Sequence, residues 1–193
     1  VTNDSVIRGE LIVDEGDPFS KLLVNKSINK LRARNIFGRV EQTALPGSTE
    51  DLRVLEIKVE EKATGEIMAG AGIGTDGTSF QFAVKENNWL GRGIKLSSTL
   101  NLSQEKVSGD ILLTNPNYNF SGNSVSASVD VSSTDRSGTT GFSSSKTGFG
   151  LGTSFEQYEN IWFSPRIDAE FEDIEVDATA SSQIKKMEGN FFN

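Results

Sequence analysis

The chain of 193 residues has no cysteine and no histidine. Without cysteine there is neither a disulfide framework nor a thiolate metal site. Without histidine the commonest general base, the commonest metal ligand and the physiological pH switch all disappear. Chemistry would have to rest on carboxylates, so an enzyme is the weakest reading. Proline is scarce (4), and no run approaches the roughly 18 apolar residues of a transmembrane helix. That leaves membrane strands open, since each needs only about 9–11 alternating residues. The net charge of −8 lacks the basic footprint of a nucleic-acid binder. Residues 1–10 carry neither the basic nor the apolar region of a signal peptide, so the expectation is a cytosolic protein or a sequence starting downstream of its true N-terminus. What the chain does have is glycine (19), with serine, threonine and asparagine crowding the second half, the composition of a β-rich chain with many turns.

The character changes near Ala63. Before it, Ile7, Leu11 and Ile12 suggest one face of a short helix. A second helix is expected from Asp17-Pro18, because proline suits a first helical turn. Leu23, Val24, Ile28 and Leu31 then give its apolar stripe, with Lys21, Lys26, Lys30, Arg32 and Arg34 outward. Two short strands follow, about 39–44 and 52–60, joined by Pro46-Gly47-Ser48. In the second, Leu55, Ile57 and Val59 alternate with charged residues. Helix, helix, strand, strand makes a small α+β unit.

After Ala63, period 2 takes over. Apolar residues alternate with small or polar ones through Ile67–Ile73, Phe80–Val84, Ile94–Leu102, Val107–Leu113, Val125–Val131, Phe149–Phe155 and Ile161–Phe171. An eighth strand is expected at 189–192. Short connections are expected at 75–78, 104–106 and 157–160, and longer ones at 87–93, 115–123, 134–146 and 173–188. An antiparallel meander is the natural topology. It has two physical readings. In a soluble β-sandwich binding module the apolar face packs inward. In a membrane barrel it meets lipid and the polar face lines the lumen. Alternation cannot separate them. Strands of about 8–12 residues exceed the usual sandwich mode of about 5–6, and the small polar side chains suit a lumen.

The junction reads VEEKATGEIMAGAGIGTDGTSFQFAVKENNWLGRG, residues 59–93. Here the chain resembles the BamA family of outer-membrane barrel-assembly proteins. The likeness lies in the charged exit, the Gly-rich strand, and the loop Asn88-Trp89-Leu90-Gly91-x-Gly93. Thr114-Asn115-Pro116, followed by Tyr118 and Phe120, is similar to the family's next loop. Upstream, VIRGEL (6–11), EGDPFS (15–20) and LRARNIFGRV (31–40) fall where a POTRA domain has its helix starts and Gly-Phe-Phe-like bend; the departure is Asn35-Ile36-Phe37 followed by Gly38. The resemblance implies a POTRA domain lacking its first strand at 1–62. At 63–193 it implies the first seven or eight strands of a sixteen-strand transmembrane barrel, both parts being pieces of a longer protein. A closed barrel of eight strands is the geometric alternative.

The resemblance implies no enzyme and no cofactor. It implies assembly and insertion of β-barrel proteins at the bacterial outer membrane, with the POTRA domain in the periplasm. The partners would be unfolded outer-membrane protein clients, periplasmic-side lipoproteins and outer-membrane lipid, with no nucleic acid. A secretion or translocation pore of the same superfamily is the near alternative. It further implies that the first barrel strand, carrying Ile67, Gly70, Gly72 and Gly74, forms one side of a seam, and that Arg8 and Glu15 dock a lipoprotein. Read from chemistry alone, the three glycines are either a small-residue lumen face or a weakened strand, and Arg8 and Glu15 are a solvated helix face. Trp89 is either an interfacial belt residue or loop packing. Glu170, Glu172, Asp173, Glu175 and Asp177 lack the order of a calcium loop and read as solvated extracellular loop.

Overall fold

In the computed structural model, residues 1–49, 52–74, 77–178 and 180–193 are described. Among them the chain forms two α-helices, α1 (Asp4–Arg8) and α2 (Lys21–Ala33), and eleven strands. The first two strands, β1 (Phe37–Pro46) and β2 (Arg53–Glu61), pair only with each other, antiparallel. The remaining strands are β3 (Gly65–Gly74), β4 (Gly77–Trp89), β5 (Ile94–Ser103), β6 (Lys106–Asn115), β7 (Ser124–Arg136), β8 (Phe142–Tyr158), β9 (Ile161–Phe163), β10 (Arg166–Val176) and β11 (Gly189–Phe192). They form one antiparallel sheet in the order β11-β10-β8-β7-β6-β5-β4-β3, with β9 attached to β8 alone. Six of the seven strands expected from alternation, and the eighth at 189–192, are present as single strands; the seventh is divided.

The N-terminal unit owns the molecule's only dry core among the described residues. Val6, Val24, Ile28, Leu31, Ile36, Phe37 and Val40 are its buried apolar side chains. Leu31, Ile28 and Val24 come from the stripe of α2, which packs on β1. Three details differ from the sequence reading. Helix α1 stops at Gly9, so Leu11 and Ile12 lie beyond it. Helix α2 starts at Lys21 rather than Asp17-Pro18, because the Ser20 hydroxyl accepts the Leu23 N–H as N-cap. Arg34 lies almost buried, with 10% of its side chain exposed, rather than outward.

The long sheet has a different logic, visible in its register. Ala69, Phe82, Leu100, Gly109, Val131, Thr147, Phe171 and Phe192 sit on one row across all eight strands. The adjacent row, facing the other way, runs Gly70, Gln81, Asn101, Ser108, Ser132, Lys146 and Glu172. One face is apolar, the other small, polar or charged. The apolar face is uncovered: Phe80, Phe82, Val84, Leu100, Ile111, Val129, Phe149, Leu151, Ile167 and Phe171 are all exposed. A sandwich would bury that face under a second sheet, and none lies over it among the described residues. The sheet is a wall of one layer. Its ends, β3 and β11, are edges, so these eight strands do not close on themselves.

The strands outgrow the loops assigned to them. β4 reaches Trp89, so the loop expected at 87–93 is shortened to 90–93; β7 reaches Arg136 and β8 begins at Phe142, so the segment expected to loop at 134–146 is largely strand. The expected strand through 161–171 divides into β9 and β10 around Pro165, which cannot donate to a ladder. The turn expected at 75–78 falls in part on Thr75 and Asp76, which lie outside the described residues. No helix is long and apolar enough to cross a membrane among the described residues.

Candidate functional site: a docked junction and an open edge

The turn after β4 is built around Asn88. Its amide oxygen accepts the Gly93 N–H at 2.7 Å, and its amide nitrogen donates to the Thr2 hydroxyl at 2.8 Å. The backbone between turns left-handed at Leu90 (φ 55°), Gly91 (71°) and Gly93 (65°). Two of those positions favour glycine on φ alone, and space demands it too. A methyl at Gly91 would strike the Val1 carbonyl, and one at Gly93 would meet Val6 Cγ1 and the Arg34 guanidinium. Asn3 N–H donates to the Gly91 carbonyl at 2.8 Å. The loop motif that carried the family resemblance is therefore a docking surface for the start of the chain.

The turn after β6 docks beside it. Asn117 donates its amide to the Gly9 carbonyl at 2.9 Å and to Glu10 Oε1 at 3.1 Å. The Phe120 ring, on left-handed backbone at φ 57°, packs against Gly9, where a methyl would overlap it. Arg34 completes the clasp. It donates to the Gly93 carbonyl at 2.6 Å and pairs with Glu10 at 3.5 Å. Burial lowers the Arg34 pKa from its ordinary value and Glu10 opposes the shift, so the guanidinium stays charged. Thr2 N–H donates to the Glu61 carboxylate, and hydrogen bonding to Thr2 holds that carboxyl below its usual range. Two turns on one end of the sheet thus grip α1 with its flanking residues and the end of α2, while Thr2 ties the end of β2 to the same start of the chain. Sequence reading found Asn88, Gly91 and Gly93 as a motif. It missed Glu10, Arg34 and Asn117, for which no local signal exists.

The seam candidates lie on β3. Its sole hydrogen-bonded neighbour among the described residues is β4, so its other side is an unpaired edge. Ile67 and Ile73 are 84% and 90% exposed on the apolar face. Gly70, Gly72 and Gly74 share the opposite face, and methyls at Gly70 and Gly74 would meet nothing, while one at Gly72 would touch only Ser79 Oγ at 3.4 Å. The glycines of β8 are the reverse case. At Gly148 the space is filled by the Asp130 carboxylate, and at Gly150 by Arg166, Asp168 and Ser128. Arg166 reaches across β8 to donate to Ser128 Oγ at 2.8 Å. Lys146 lies 3.2 Å from Glu170 and 3.1 Å from Glu172. Strands β7, β8 and β10 are cross-linked by polar side chains, whereas β3 is bare.

Arg8 and Glu15 are brought together, far from this edge. Arg8 NH1 donates to Glu15 Oε1 at 3.2 Å and Arg8 Nε to Asp4 at 2.6 Å, all exposed. These hydrogen bonds, Asp4 first, raise the Arg8 pKa. Trp89 ends β4 beside the docking turn, 41% exposed. Glu170 and Glu172 face Lys146, and Asp173 and Glu175 stand on the other face of β10, so the acidic run divides between two faces. No cluster of metal-ligating residues occurs among the described residues.

Comparison with known proteins agrees with this architecture. The Omp85 superfamily domain matches residues 88–191. The outer membrane protein assembly factor BamA of Nitratidesulfovibrio vulgaris is 28% identical, covering 97% of this chain and 24% of that protein. BamA of Neisseria meningitidis serogroup B is 27% identical, covering 67% of this chain and 16% of that protein. The crystal structure of BamA from Haemophilus ducreyi lacking POTRA domains 1–3 superposes with a TM-score of 0.75 at 22% identity, over 91% of this chain and 34% of that one. The chain spans about a quarter or less of the length of these curated relatives. With its one-layer wall, uncovered apolar face and matched domain, the chain belongs to the Omp85 superfamily.

Proposed function

We propose that this chain is the working junction of an outer-membrane barrel-assembly factor, which inserts client β-barrels by pairing their strands with the free edge of β3. The observation that carries the reading is the bare edge: a strand at the end of the sheet with open space at Gly70 and Gly74, beside a wall whose other half is cross-linked. An unpaired edge is a template for another strand, and a glycine-rich one is cheap to open. The relatives are named assembly factors, which favours this over a secretion pore. Strand exchange trades hydrogen bonds and breaks no covalent bond, so the activity needs neither catalyst nor cofactor.

In this reading the chain sits in the bacterial outer membrane, its apolar face against lipid. Residues 1–62 are a POTRA domain in the periplasm and residues 63–193 the first part of a sixteen-strand barrel, in which β3 meets the last strand at a seam. Clients are unfolded outer-membrane proteins. Arg8 and Glu15 are the proposed contact for a periplasmic lipoprotein, being an exposed ion pair on the N-terminal unit. With Glu15→Lys, capture of lipoproteins by the full-length protein should fall; unchanged capture removes Glu15 from that role. Insertion of a client into vesicles by full-length protein with a stiffened β3 tests the main reading, and undiminished insertion defeats it.

A further inference from the structure

The far end of β8 leaves the wall. Its pairing with β7 stops at Ser154, and β10 joins only from Gly152. Residues 155–163 therefore extend past the sheet as a finger, β8 pairing there with β9 alone. This finger leaves the same end of the sheet as the turns that grip the N-terminal unit. It is strongly apolar and uncovered: Tyr158 is 68% exposed, Ile161 59%, Trp162 57% and Phe163 57%. Phe155 and Phe163 stack edge to face at 5.6 Å. Of its two acidic residues, Glu156 folds back onto the turn, accepting the Asn160 N–H at 2.6 Å, and Glu159 stands exposed at the tip.

What covers such a finger follows from where the lipid-facing band stops. On β8 the apolar face begins at Thr147, on the row of Val131 and Phe171; the preceding positions on that face, Ser145 and Ser143, pair with Ser133 and Asp135 on β7 and with Asp173 and Glu175 on β10. That change from apolar to polar marks one membrane boundary. A band about 25 Å tall occupies roughly ten residues of a strand tilted by about 40°. Counted from Thr147, it ends near Glu156. Phe155 and Phe163 continue the apolar face to its limit; Trp162, paired with Glu156, lies at that limit on the opposite face, and Tyr158 and Ile161 fall just beyond. This is headgroup depth, where tryptophan and tyrosine are favoured because their rings are apolar and their tips polar.

We propose that the 155–163 hairpin is a lipid-surface anchor, seated in the headgroup layer of the leaflet nearest the N-terminal unit. It holds β8, the centre of the cross-linked half, at fixed depth while the β3 edge exchanges partners. The inference rests on the membrane reading of the sheet. A nitroxide at Glu159→Cys in the full-length protein, reconstituted in phosphatidylethanolamine–phosphatidylglycerol vesicles, reads depth through collisions with oxygen and a water-soluble nickel chelate. Labels at Leu151→Cys, in the band, and Ser137→Cys, in the opposite turn, bracket it. The expected result is nickel collision at 159 several-fold below that at 137 and above that at 151, rising toward the 137 value when Tyr158→Ser and Trp162→Ser are added. Collision at 159 equal to that at 137, with 151 shielded, overturns the anchor and leaves the barrel wall in lipid. Free nickel collision at 151 as well overturns both.

Discussion

Replacing Arg34 with alanine should release the N-terminal unit from the sheet. The substitution strands Glu10, 8% exposed, as a buried carboxylate whose remaining partner is the Asn117 amide, and it deletes the bond to the Gly93 carbonyl. Removing one partner of a buried ion pair costs about 3–5 kcal/mol. At about 1.4 kcal/mol per factor of ten, docking should weaken by roughly two to three orders of magnitude. Hydrogen exchange in the full-length protein reads this directly: amides of residues 88–93 and 117–122 should lose protection, and those of β5 and β6 should keep it. Replacing both charges, with Arg34→Met and Glu10→Met, should cost less than Arg34→Ala alone, since no uncompensated charge stays buried. Equal losses for the single and double variants would show that the clasp works by shape alone.

The second large effect concerns β3. Valine at Gly70 has room, because a Cβ there meets nothing. Its effect on the folded sheet should be favourable, by about 0.5–1 kcal/mol, since glycine is the poorer strand residue. Adding Gly72→Val should bring the total to roughly 1–2 kcal/mol. If the edge must open to accept a client, that stabilisation reduces the open population by about five- to thirtyfold. Client insertion by the double variant should fall in proportion, with the protein's own folding intact. Gly150→Val is the contrasting control. Its side chain would displace Arg166, Asp168 and Ser128, so it should weaken the wall instead of locking the edge.

The architecture of the wall was legible in the sequence because a strand's two faces are written at alternate positions. Phe80, Phe82 and Val84 against Gln81 and Lys85 state a face without any knowledge of neighbours, and the register then aligns those faces across eight strands. Three things were not legible. Alternation does not say whether the apolar face meets a second sheet or lipid; only the absence of a covering layer decides that. The length of β8 was hidden because Ser143, Ser144 and Ser145, which read as loop, are ordinary strand residues where the wall leaves the apolar zone. The start of α2 was displaced because Pro18 and Ser20 both suit a helix start, and the serine hydroxyl supplies the hydrogen bond.

The clasp was the least legible part, for a physical reason. Asn117 lies 107 residues from Glu10 and Gly93 lies 59 from Arg34. Nothing local marks a pair that only the fold brings together. Arg34 read as one more solvated cation at the end of a basic helix. The Asn88 loop was found through family likeness, and its function as a docking turn emerged from the bonds to Thr2 and Asn3. The glycines of β3 and β8 looked alike in sequence. Space around them separates the two: occupied at 148 and 150, empty at 70 and 74.

The central claim is that client strands pair with the edge of β3, and crosslinking tests it most directly. A photoreactive residue is placed along the full-length protein at Ala69 on β3 and at Ile111 and Phe149 inside the wall, with a stalled client present. The account predicts client adducts from position 69 and none from 111 or 149, whose strands already have partners on both sides. Adducts of equal yield from all three positions, or none from 69, would contradict it.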